Sequence, residues 1–173
     1  MSNKQKTDFV IQIHGLMHQY QKNNNIKGQC IQNCQFLYDC ITKNNLPIII
    51  KPKAVIVAYN PYPTHTMFHI HMVLQTSEGN IIDPSYEVSC IEKSAYYTSV
   101  KDFMEVFKDS NELLKEQKEQ VKETVKNYLI FLPFEEYIMS ADKPVITDTL
   151  HYNLQADWVG EHLKIKGARC SSV

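Results

Sequence analysis

Arginine is almost missing from this sequence: among 18 Lys and Arg residues, Arg169 alone carries a guanidinium. Without a set of planar forks, and with 19 Asp and Glu giving a net charge of −1, the chain lacks both a phosphate-gripping stripe and a polybasic face. Nucleic acid and membrane surfaces are therefore not expected partners. No apolar run approaches the ~20 residues that cross a bilayer. The longest, Leu46 to Tyr59, is broken by Lys51-Pro52-Lys53. The opening Met-Ser-Asn-Lys-Gln-Lys has no apolar segment of the kind a secretory leader needs. Nothing resembles a glycine-rich nucleotide loop, and no cofactor is expected. Cysteine is present in an odd number, 5, in a chain large enough to fold without disulfide staples, so reduced thiols and a cytoplasmic location are expected. Cys170 precedes Ser171 and Ser172, which are not the aliphatic pair that prenylation requires.

What is present is globular in kind. The 173 residues, 43% hydrophobic and 21% charged, suit one domain spanning residues 1–173. The 12 asparagines and the preference for Lys over Arg read as compositional bias with no bearing on mechanism. Phe9, Val10, Ile13, Leu16, Met17 and Tyr20 form one face of a helix, predicted over Thr7 to Tyr20. Ile31, Cys34, Leu37, Tyr38 and Ile41 predict a second, largely buried helix from Cys30 to Ile41. Pro47-Ile48-Ile49-Ile50 and Ala54 to Tyr59 read as strands separated by prolines, with a turn at Pro61 and Pro63. Thr66 to Thr76 and Asn80 to Asp83 read as a hairpin whose turn uses Gly79. Helices are expected near Val100 to Phe107, from Leu113 to Leu129 and around Gln155 to Lys164. The order of helices, strands and helices is an α+β layout.

Cysteine chemistry needs a thiolate, and a helix N-terminus favours one through its dipole and its unpaired N–H groups. Cys30 holds that place, behind Gly28-Gln29, where Gly28 permits a sharp entry into the helix. Cys34, one turn on, is expected in the core. A nucleophile also needs a base, and the base needs an acceptor on its second nitrogen. The hairpin offers His71 and Asp83. If Glu78-Gly79 is a two-residue turn, Asp83 faces Leu74, about three residues along the ladder from His71.

Gly28-Gln29-Cys30 at a helix start, His71, and Gly79-Asn80-Ile81-Ile82-Asp83-Pro84-Ser85-Tyr86 together resemble the transglutaminase-like branch of the papain-like cysteine protease superfamily. Val73 replaces the aromatic residue common in that family two positions after the His. The resemblance covers roughly Lys27 to Tyr86. It implies a papain-like fold, with the Cys on a central helix packed on an antiparallel sheet. It further implies a catalytic triad of Cys30 as nucleophile, His71 as base and Asp83 as its orienting acid. The implied activity is that of a cysteine-dependent hydrolase (a peptidase, isopeptidase or amidase) acting on a protein or peptide through a thioester. A transglutaminase or other acyltransferase would use the same triad.

Other readings stay open. His69 is an alternative base, and Gln29 or Asn24 are candidates for a second oxyanion donor. His65, His69 and His71 could instead gather zinc or iron. The Lys- and Glu-rich stretch from Asp109 to Lys126 could serve a non-catalytic protein-binding module.

Overall fold

A computed structural model describes residues 2–62, 65–89, 95–97 and 149–164. The helices expected at 100–107 and 113–129, and the charged stretch at 109–126, lie outside these residues. Helix α1 spans Asn3–Asn23 and α2 spans Cys30–Lys43. Helix α1 starts earlier than its apolar periodicity suggests because Ser2 and Gln5 form a capping box. Gln5 N–H donates to Ser2 Oγ (3.3 Å), and Ser2 N–H donates to Gln5 Oε1 (2.7 Å).

Both helices end on asparagine. Asn25 and Asn45 take the left-handed conformation at φ 51° and 49°. Beyond them, Ile26 N–H reaches back to Gln21 O and Leu46 N–H to Ile41 O, the doubly bonded turn that usually recruits glycine. These asparagines have a structural task, which composition alone conceals.

Strands β1 (Ile50–Tyr62), β2 (His65–Thr76), β3 (Ile81–Ile82) and β4 (Ala95–Tyr97) form an antiparallel sheet in the order β3-β2-β1-β4. A short helix α3 (Tyr86–Ser89) follows β3, and α4 runs over Thr149–His162. The described chain is thus α+β. One strand replaces the two expected before Tyr59, and it passes directly through Pro52. There β1 pairs with β2 alone among the described strands, because β4 covers only Ile56 to Ala58. Proline is tolerated at such an edge. Pro61 falls in the bulge between Tyr59 and Tyr62, and β1 continues past it to Tyr62.

The core joins Phe9, Ile13 and Met17 of α1 to Cys34, Phe36, Leu37 and Ile41 of α2. It continues through Ile50, Met72 and Leu74 of the sheet to Ala156 and Val159 of α4. The two amphipathic helices thus bury the faces their periodicity marks. Cys34 is fully buried, and its thiol donates to Met72 O at 3.3 Å, which fixes α2 against β2. Cys30 and Cys34 are free thiols, whereas Cys40 is disulfide-bonded, so full reduction does not hold at that position.

The hairpin differs from expectation by one residue. Leu74 pairs with Ile82 and Gln75 with Ile81, which makes Ser77-Glu78-Gly79 a three-residue turn. Gly79 sits at φ +87° with open space where a Cβ would stand. Backbone strain alone then opposes a side chain, and Gly79→Ala is expected to cost about 1 kcal/mol, read from the denaturant midpoint.

Candidate active site

The extra turn residue has a direct consequence for geometry. Carried one step beyond Leu74↔Ile82, the register sets Asp83 beside Val73, two residues from His71. That is a diagonal on one face, within reach of long side chains, whereas an offset of three would put the two on opposite faces. His71 Nε2 lies 3.0 and 2.9 Å from Asp83 Oδ1 and Oδ2. Both residues are buried, at 2% and 7% exposure. Each meets part of the other's hydrogen-bonding need in that buried position.

Cys30 stands at the first position of α2 and is half-buried. Gly28, at φ +68°, makes the turn into the helix, and its N–H is anchored on Glu87 Oε1 of α3 at 2.9 Å. The N-cap residue Gln29 makes no side-chain cap bond, so no cap side chain shields the N–H groups of the first turn. Cys30 lies close enough to the His71 side chain to raise its pKa. With Nε2 committed to Asp83, Nδ1 is the nitrogen left for the thiol. Burial by itself lowers the His71 pKa, but the bond to Asp83, the interaction with Cys30 and the charge of both outweigh it and hold it at about 9. The buried Cys34 thiol is also raised, but here burial is the main cause: burial, with the nearby Cys30 and Asp83 charges, pushes it well above the usual range. The second thiol is therefore chemically quiet.

Asp83 is itself held. Its Oδ1 accepts Ser85 N–H at 2.9 Å, and its Oδ2 accepts the Tyr96 hydroxyl at 2.7 Å. Behind it, Asn33 Nδ2 donates to Ser85 Oγ at 3.2 Å, and Asn33 Oδ1 accepts from His151 Nε2 (3.0 Å) and Gln155 Nε2 (3.4 Å) of α4.

The structure therefore brings Cys30, His71 and Asp83 together, with His71 hydrogen-bonded to Asp83. Ser85 belongs to the motif and Tyr96 to a run expected to line a groove or cover, but the sequence does not predict that they hold Asp83, and nothing in it points to Asn33. The available signal for Tyr96 was the short β-favouring run Ala95-Tyr96-Tyr97, which forms β4. Asn24 is engaged elsewhere, its amide donating to Tyr20 O at 2.8 Å at the end of α1. Gln29 Oε1 is buried without a hydrogen-bond partner beside Cys30. His69 lies in β2 opposite Val57. Its side chain, like that of His65, lies outside the described residues. Among the described residues no group of three or more His, Cys, Asp or Glu could hold a metal ion, and no helix is long and apolar enough to cross a membrane.

Scans of protein-family models, curated proteins and solved structures find no match to this chain. Its functional reading therefore rests on the site's own chemistry.

Proposed function

We propose that this protein is a cysteine-dependent hydrolase of the papain-like, transglutaminase-like type, cleaving an amide, peptide or isopeptide bond. The observation that carries the reading is the buried His71, bound to Asp83 through Nε2 and close enough to Cys30, at the open end of α2, for the two to interact. An imidazole so placed can take a thiol proton at Nδ1 and hold the resulting charge against the carboxylate.

In the first half-reaction the Cys30 sulfur, its proton already held on His71, bonds to the substrate carbonyl carbon as the C=O π pair moves onto the oxygen. The oxyanion is stabilised by the Cys30 backbone N–H at the helix N-terminus. Collapse breaks the C–N bond, His71 returns the proton to the leaving amine, and a thioester remains. Water then attacks, giving its proton to His71, and the carboxylic acid leaves as the thiol is restored. Each proton taken is returned, and no cofactor enters the balance. The Gln29 side chain, next to the nucleophile, is the better placed of the two amides to offer its NH2 as a second donor to the oxyanion, since the Asn24 amide is engaged on Tyr20 O. An amine replacing water in the second half would give acyl transfer, and the same triad would serve it.

The test is intact-mass labelling of wild type and Cys30→Ala with iodoacetamide and with peptide or ubiquitin warheads. Rapid addition of one label that disappears in Cys30→Ala is the expected result. Equal, slow labelling of Cys30 and Cys34 would remove the basis for catalysis.

A further inference from the structure

We propose that His14, His18 and Gln21, one stripe of α1, are positioning residues that clamp the turn from Asp83 to Tyr86 and so aim the Asp83 carboxylate at His71. The proposal rests on the triad reading above and extends it to a helix that bears none of the three triad members.

The turn needs external support. Strand β3 is only two residues long, and it pairs with β2 only at Ile81 and Ile82. Asp83 follows it directly, and Pro84 has no N–H to offer a ladder. The peptide oxygens of this segment would be buried without partners unless side chains met them. Helix α1 meets them in sequence. His14 Nε2 and His18 Nε2 lie 2.7 and 3.1 Å from the one carbonyl oxygen of Asp83. That oxygen can only accept, so both imidazoles carry their proton on Nε2 and both lone pairs are filled.

Seven residues after His14, Gln21 grips the next two peptides with one amide group. Its Nε2 donates to Pro84 O at 2.9 Å, and its Oε1 accepts Tyr86 N–H at 2.8 Å. Gln21 is 1% exposed, and Gln155 of α4 backs it at 2.8 Å. Spacings of four and three residues place all three side chains on one helical stripe.

Such a clamp does more than satisfy polar groups. Asp83 holds His71 through its side chain, and its main chain is fixed on the other side by His14 and His18. The 14–18 ring pair is itself packed at 4.0 Å between centroids, with Tyr86 edge-on to His18. Shifting this carbonyl by a fraction of an ångström would turn the carboxylate away from Nε2, and the readout of that shift is the basicity of His71.

The experiment is a 13C-histidine titration of the full chain, which needs no substrate. Gln21→Met and His18→Phe are expected to lower the His71 midpoint by about one pH unit, since the charge partner recedes. His18→Gln, whose amide keeps an N–H, is expected to restore most of it. A His71 midpoint equal to wild type in Gln21→Met and His18→Phe, with native far-UV and near-UV circular dichroism, would overturn the proposal. If the buried Gln21→Met fails to fold, the half-buried His14→Phe decides by the same criterion. The two readings fail separately. An inert Cys30 with a moving His71 midpoint removes the hydrolase and keeps the clamp, and a reactive Cys30 with an unmoved midpoint does the opposite.

Discussion

His71→Ala is expected to lower hydrolysis of an activated ester such as p-nitrophenyl acetate by about 10^3 to 10^4-fold. The substitution removes the base for Cys30 and the proton donor for the leaving group in one step. It also leaves the buried Asp83 carboxylate with only Ser85 N–H and the Tyr96 hydroxyl. Breaking a buried pair from one side costs about 3 to 5 kcal/mol, so activity is to be compared well below the unfolding transition. His69→Ala is the matched control. Its position two residues along β2 faces Val57, and Asp83 is already bound to His71, so a modest loss is expected. Should His69→Ala abolish turnover while His71→Ala spares it, the base is His69 and the Asp83 pairing is structural.

The helices were legible because burial repeats. Phe9, Ile13 and Met17, then Cys34, Leu37 and Ile41, recur at helical steps, and all are buried as that spacing predicts. The triad candidates were legible for another reason: few residue types can act as nucleophile, base and acceptor, and here they fall in a workable order. Register was not legible. Gly79 at positive φ serves a two- or a three-residue turn alike, and what separates them is whether the residue before it, Glu78, also enters the left-handed region, which it does not. That single residue decides whether Asp83 shares a face with His71.

Supporting residues were hidden by the same logic that revealed the core. His14, His18 and Gln21 border an apolar stripe, where polar side chains ordinarily mark the solvent boundary. Only the return of Asp83 to Tyr86 against α1 makes that boundary an interior. Asn33 is a similar case, buried at 2% because Ser85, His151 and Gln155 converge on it from parts of the chain far apart in sequence. Periodicity reports which side of a helix is covered. It does not report that the cover is a polar turn.

The charge on Asp83 is expected to govern both rate and pH stability, and Asp83→Asn isolates it. The amide oxygen can still accept His71 Nε2–H, but its NH2 brings a donor toward Tyr96 O–H or Ser85 N–H and supplies no counter-charge. Ester turnover near neutral pH should fall by about 10^2-fold or more, because an imidazolium formed at His71 is no longer stabilised. In the wild type the folded His71 pKa is raised to about 9 from an ordinary 6.5. The associated stability is fully present below the unfolded value and is lost as pH rises through about 9. At about 1.4 kcal/mol per pH unit, the effect is on the order of 3 kcal/mol. Wild type should therefore exceed Asp83→Asn most at about pH 6, with the gap closing toward about pH 10, as read from denaturant midpoints at each pH. A gap that stays constant across that range would mean that hydrogen-bond geometry, and not the carboxylate charge, holds His71. In that case the alkaline decline would be the same in wild type and in Asp83→Asn.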